Sequence, residues 1–276
     1  MLSKVFGVSG ITFLLALSPA LAQVSSNASS GAVAPSTTVR NARQHAPRRV
    51  AGLHPDRVID NVTVSESNNW SGYAVTGSEF TQVKGSWIVP AVDCNAVPNS
   101  SASFWVGIDG WETDTVEQTG TDSDCDDGTP SYYAWFEFVP ASGVTITSVP
   151  VSSGDQVSAE VVFDGVQFTV TMANETTGKS YRKSIPPGSA KRTSAEWIAE
   201  SNGYELSDFG TVSFGQDYTF VSSTNYAADS STSGQIGAFG KNVQESVMVA
   251  GKGVVEAVPS SLSSDGTSFT VAWETE

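Results

Sequence analysis

Histidine is almost missing from this chain of 276 residues. There are two, His45 and His54, and both precede residue 60. If that leading part is removed, no imidazole remains as base for a Ser-His-Asp or Cys-His mechanism. A His-Glu-x-x-His zinc site is excluded as well. Cysteine is equally scarce. Cys94 and Cys125 are the only pair, and in an oxidising compartment they are expected to bridge to each other. A metal site on two cysteines would need ligands from elsewhere, and nothing suggests a cofactor or a metal. Cations are few: 14 Lys and Arg stand against 29 Asp and Glu, a formal net charge of −15. That balance argues against nucleic acid or an anionic membrane surface as partner. No later apolar run is long enough to cross a bilayer. No heptad or long amphipathic helix is sustained.

What is present begins with a targeting pattern. Lys4 supplies a positive start, residues 5–17 are largely apolar, and Ala20-Leu21-Ala22 fits a small-residue cleavage site. Residues 1–22 therefore read as a secretory signal, and the protein as secreted. Residues 23–60 differ from the rest: Ser, Ala and Val give way to Arg40, Arg43, His45, Arg48, Arg49, His54 and Arg57, with Asp56 and Asp60 the only acids. From residue 61 onward eight Lys and Arg face 27 Asp and Glu, a balance of −19. A basic stretch ahead of an acidic domain reads as a pro-segment held partly by charge and inhibiting its own chain. A plain linker is the alternative. Arg48-Arg49 is a candidate processing site, and a mature start near Ser65 is equally compatible.

Residues 61–276 read as one β domain. Short strands are expected at 68–75, 80–89, 100–110, 132–140, 144–151, 156–163, 166–172, 210–214, 246–249 and 268–273, with residues 122–130 an acidic, turn-rich loop. Alternation assigns faces. Phe104, Val106 and Ile108 point to one side, Trp105, Gly107 and Asp109 to the other. Ala134, Phe136 and Phe138 oppose Tyr133, Trp135, Glu137 and Val139. Gly107 carries no side chain, which leaves room for a ligand to approach its backbone. Residues 193–200 fit strand or helix, and in either form Glu196 and Glu200 share a side. In residues 116–120, Val116 and Gln118 share a face ahead of a turn expected at Gly120. The second face of such strands would line a groove for an extended polymer. There a carboxylate can take a proton from water, and an amide N–H can stabilise a developing oxyanion.

Five blocks carry a resemblance: Asn69-Trp70-Ser71-Gly72, Trp105-Val106-Gly107-Ile108-Asp109-Gly110, Gln118-Thr119-Gly120, Ala134-Trp135-Phe136-Glu137 and Ala195-Glu196-Trp197-Ile198-Ala199-Glu200. In order and over most of the chain from Ser65, they resemble the glutamic peptidases, or eqolisins. The resemblance implies a secreted acid endopeptidase that needs no metal and ignores pepsin-type inhibitors. It implies a β-sandwich of two antiparallel sheets, a lectin-like jelly roll, with a Gln/Glu catalytic dyad mapping onto Gln118 and Glu200. Trp70, Trp105, Asp109 and Glu137 match cleft-lining positions, and Glu196 falls to a supporting role. Polypeptide substrates are implied, and a monomer is the default. Two departures stand out: a single cysteine pair, and Val139 where some members have an aromatic residue.

The residues alone leave other readings open. Two carboxylates on a sandwich also suit a glycoside hydrolase, and exposed Trp faces suit a non-catalytic carbohydrate-binding module. Gln118 and the basic leading segment favour the peptidase.

Overall fold

The computed structural model describes residues 42–274. The expected signal segment and the first part of the basic stretch lie outside them. Nineteen strands follow one another among the described residues. They begin β1 (Arg57–Ile59), β2 (Val62–Ser67), β3 (Trp70–Thr76), β4 (Gln82–Ile88), β5 (Ser100–Ile108), β6 (Glu117–Asp126), β7 (Thr129–Phe138) and β8 (Val144–Thr145). Next come β9 (Gln156–Phe163), β10 (Phe168–Asn174), β11 (Lys179–Ile185), β12 (Ser194–Glu200), β13 (Glu205–Leu206) and β14 (Thr211–Phe214). The last are β15 (Tyr226–Ala228), β16 (Ser233–Gln235), β17 (Val243–Val249), β18 (Val255–Pro259) and β19 (Phe269–Trp273).

They form two layers. The front sheet runs β2-β17-β3-β12-β5-β6-β7, antiparallel except where β17 lies parallel to β2. The back sheet runs β11-β10-β9-β4 and continues through β14 to β19 and β18. β17 and β18 pair at one edge and join the layers. The alternating apolar residues meet between the sheets. Phe104, Val106, Ile108, Phe136 and Trp197 from the front pack with Val83, Trp87, Phe168, Phe214 and Phe269 from the back. Gly85 of β4 marks the contact: a Cβ there would lie 2.5 Å from Val106 and 2.8 Å from Trp197. Indole groups also bond across the layers, Trp87 Nε1 to Thr121 Oγ1 and Trp197 Nε1 to Lys84 O, both at 2.9 Å. Cys94 and Cys125 form the expected disulfide.

Several expectations are corrected. Residues 122–126 are not a loop but the second half of β6, which turns into β7 through Asp127 and Gly128, both at positive φ. That is a two-residue hairpin turn, and the acidic run had masked the strand. Gly120 is no turn either. It sits mid-strand because a Cβ would come within 2.3 Å of the Phe104 carbonyl oxygen and 2.5 Å of the Trp105 side chain. Residues 144–151 carry only the two-residue β8. Strand β11 has no expected counterpart; its Lys and Arg side chains leave most of it exposed at a sheet edge, so little hydrophobic alternation marks it.

Candidate active site

The front sheet has a second, concave face, and the residues singled out in the sequence gather there. Register builds two rows across it. Trp70, Glu200, Ser103 and Asp122 face one another on adjacent strands, as do Glu196, Gly107, Gln118 and Glu137. Between the rows, Trp105, Trp135 and Ile198 join Trp70 in an apolar cluster separate from the main core. The Trp70 and Trp105 rings meet edge to face at 4.9 Å. Ambiguity over residues 193–200 ends here: β12 lies between β3 and β5, with Trp197 in the core and Glu196, Ile198 and Glu200 on the concave side. Gly107 does not open its backbone to a ligand. Its missing Cβ makes room for Trp105, Gln118 and Val116 side chains, 2.9 to 3.1 Å from where that Cβ would be.

Residues 42–49 of the same chain lie in this cleft. Ala46 N–H donates to Glu200 Oε1 at 3.0 Å, while Trp105 Nε1 donates to Glu200 Oε2 at 2.9 Å. Trp70 Nε1 donates to the Ala46 carbonyl at 3.1 Å, and Asn69 Nδ2 to the Pro47 carbonyl at the same distance. His45 is fully buried. It stacks on Trp135 with ring centroids 3.6 Å apart. Its backbone N–H donates to Glu137 Oε2 at 3.0 Å, its Nδ1 lies 3.0 Å from the same oxygen, and its Nε2 lies 3.1 Å from Ser103 Oγ and 3.4 Å from Asp122 Oδ1. Gln44 reaches Glu137 Oε1 at 2.8 Å, and the Arg43 guanidinium pairs with Asp124 at 2.8 Å. Arg48 lies over the Trp111 ring, 4.0 Å from its centroid.

Burial sets the charges. It raises the Glu200 carboxyl to about 7, against the opposing pull of His45 and of the Ala46 and Trp105 N–H groups. Burial alone would lower His45, but its bonds to Asp122 and Glu137 and the nearby Asp122 and Glu200 charges outweigh that and raise it to about 10. Gln118 Nε2 donates to Glu137 Oε2 at 3.3 Å, and its Oε1 is buried without a partner among the described residues. Glu196 is buried, and burial raises its pKa well above the ordinary carboxyl value against the opposing pull of Ser194, with the Asp109 and Glu117 charges adding to the rise.

Of the sequence-derived set, Trp70, Trp105, Gln118, Trp135, Glu137 and Glu200 come together. Asp109 stands apart. It ends β5 at φ 72° and accepts N–H bonds from Lys191, Arg192 and Thr193 at 2.6 to 2.8 Å. Sequence reading passed over Asp122 and Ser103, which complete the His45 pocket. Period-two spacing from Gln118 pointed to Asp122, but the supposed loop concealed it.

The model of the Peptidase A4 family matches residues 68–257. The chain belongs to that family. It is 31% identical over 226 residues to aspergillopepsin-2 of Aspergillus niger, covering 68% of this chain and 80% of that protein. Scytalidopepsin B of Scytalidium lignicola is 33% identical over 201 residues, covering 67% and 75%. Crystallised scytalido-glutamic peptidase with a transition-state analog inhibitor superposes with a TM-score of 0.62 at 25% identity, covering 75% of this chain and 98% of that one. Aspergilloglutamic peptidase from Aspergillus niger gives 0.52 at 29%, covering 63% and 99%. As a Peptidase A4 member the chain is a glutamic endopeptidase on a β-sandwich, and the glycosidase and sugar-binding readings are not favoured.

Proposed function

We propose that this peptidase is secreted, acts in acid and is made as a zymogen, with Glu200 and Gln118 carrying the chemistry on polypeptide substrates. The reading rests on one contact, the Ala46 N–H donating to Glu200 Oε1 at 3.0 Å. A cleft carboxylate thus touches the nitrogen of a peptide bond, where a leaving group would need a proton. Ionised Glu200 takes a proton from water, which attacks the carbonyl carbon. The Gln118 amide N–H stabilises the oxyanion. Protonated Glu200 then hands its proton to the leaving nitrogen. An ordinary carboxyl titrates in acid, which suits a base that must also become an acid within one cycle.

Residues 42–49 act as the inhibitory part of the pro-segment, and the rest of the basic stretch belongs to it. Burial first, then the Asp122 charge, raises Asp124 to about 7 despite Arg43. Residues 1–22 supply the secretion signal, in keeping with the disulfide.

Gln118→Ala is expected to lower turnover on denatured globin roughly a hundredfold or more, the usual loss for an oxyanion donor. Glu200→Gln is expected to abolish it while the circular-dichroism spectrum stays unaltered. A well-folded Glu200→Gln protein with near-normal cleavage would assign the general base elsewhere.

A further inference from the structure

A cavity of about 390 Å³ lies between Phe138, which ends β7, and Ile185, which ends β11. That is within the size range of small-molecule pockets. None of residues 42–49 lines it. Its walls are mostly apolar, and Pro140, Pro186 and Pro187 make up part of them. Proline has no N–H, so these stretches offer carbonyl oxygens and few donors. Glu117, the first residue of β6, lines the cavity as well and is only 3% exposed. It pairs in register with Ile108 and Phe138 and faces the back sheet, whereas Gln118 beside it faces the cleft. Glu117 Oε2 is buried with no hydrogen-bond partner among the described residues, and the same holds for Thr115 Oγ1 in the same wall.

A buried acceptor left without a donor is costly, and a donor brought in from outside relieves it. Charge selects among donors. The neighbouring groups that act on Glu117 or are acted on by it are Asp109, at the exit of β5, and Glu196 on β12, both acidic. No Lys or Arg forms an ion pair with Glu117 among the described residues. An anionic ligand would be repelled, and an alcohol would bring one donor and no charge. An ammonium brings three donors and the opposite charge. We propose that this cavity is a binding site for a small apolar primary amine, with its ammonium on Glu117 and its hydrocarbon body against Phe138 and Ile185. The site stands apart from the cleft and does not depend on the roles of Gln118 and Glu200. Burial, with the Asp109 charge adding to it, raises the Glu117 carboxyl to about 8. Below that pH the carboxyl releases its proton to solvent when an ammonium docks, so amine affinity rises as pH climbs toward 8.

The test uses the full chain carrying Glu200→Gln, so that self-cleavage does not intervene. Phenethylamine, phenethyl alcohol and hydrocinnamate are titrated in turn by calorimetry near neutral pH. The amine is expected to bind about tenfold or more tighter than the alcohol, the scale of a charge-assisted hydrogen bond, and hydrocinnamate weakest of the three. Amine affinity is expected to rise severalfold from about pH 5 to about pH 8. Glu117→Gln is expected to remove both that slope and the advantage over the alcohol. Nuclear Overhauser contacts from the probe ring should reach the Ile185 methyl groups. If Glu117→Gln does not fold, the pH slope and the ring contacts in the parent decide. Alcohol binding as tight as amine, an amine affinity untouched by Glu117→Gln, ring contacts only elsewhere, or no binding by any probe would each overturn the site.

Discussion

Asp109 uses both carboxylate oxygens on the backbone N–H groups of residues 191–193, which lead directly into β12. Its left-handed φ of 72° and that of Gly110 at 106° make the sharp exit from β5. Glycine is needed there because a Cβ would meet Val116 at 2.5 Å and Trp70 at 2.8 Å. The aspartate therefore aligns the strand that carries Glu200 rather than touching the segment in the cleft. Asp109→Ala orphans three donors and is expected to cost about 3 kcal/mol or more, read by urea unfolding. A raised KM with undiminished stability would return Asp109 to the substrate-contacting role implied by the family resemblance. Trp105 works in the opposite sense: its indole N–H fixes one oxygen of Glu200, leaving the other free to face a peptide nitrogen.

At the scale of elements, the site depends on how β5 and β6 meet at Gly120. Gly120 opposes Trp105 in register, and its missing side chain lets that indole fold over the strand toward the cleft. Gly120→Ala would drive a Cβ against a backbone oxygen, which no rotamer change relieves. The expected loss is about 3 kcal/mol, with activity falling because the Trp105 bond to Glu200 shifts. A thermal melt within a degree or so of the parent would show that the two strands can separate without penalty. β12 explains why its own sequence was ambiguous. With partners on both sides and both faces buried, it carries apolar residues on each face, and the simple inside-outside alternation disappears.

For the whole molecule the buried acids set a direction. Burial raises Glu117 to about 8, Glu200 to about 7 and Asp124 to about 7, and shifts Glu245 the same way. Each folded value lies above the ordinary carboxyl value, so the folded chain holds more protons than the unfolded one between those limits. Stability is then full below the unfolded pKa and is lost as pH rises through the folded values. His45, raised to about 10, adds in the same direction, its share disappearing as pH rises through that value. The Tm of the full chain is expected to fall steadily from about pH 5 to about pH 8. A Tm that climbed over this range would mean that these carboxyls ionise in the folded state without penalty.

The β class, the two faces of β5 and β7, the disulfide and most residues of the cleft were legible in the sequence, because alternation follows from the pleat of a strand and needs no partner. Gln118 and Glu200 were legible as a carboxylate and an amide on groove-facing strands, with the family blocks naming them. Other features depended on pairing. Strand pairing set Gly120 in the middle of β6, joined Asp122 to Glu137 around one imidazole and turned Asp109 toward a loop more than eighty residues away in sequence. His45 was read as one basic residue of the pro-segment and as a base absent from the domain that follows. That it fills the cleft follows from contacts with residues 103, 122, 135 and 137, far along the chain. Local periodicity is written residue by residue, whereas a pocket is made where separate strands meet, and only the folded arrangement decides which side chains share it.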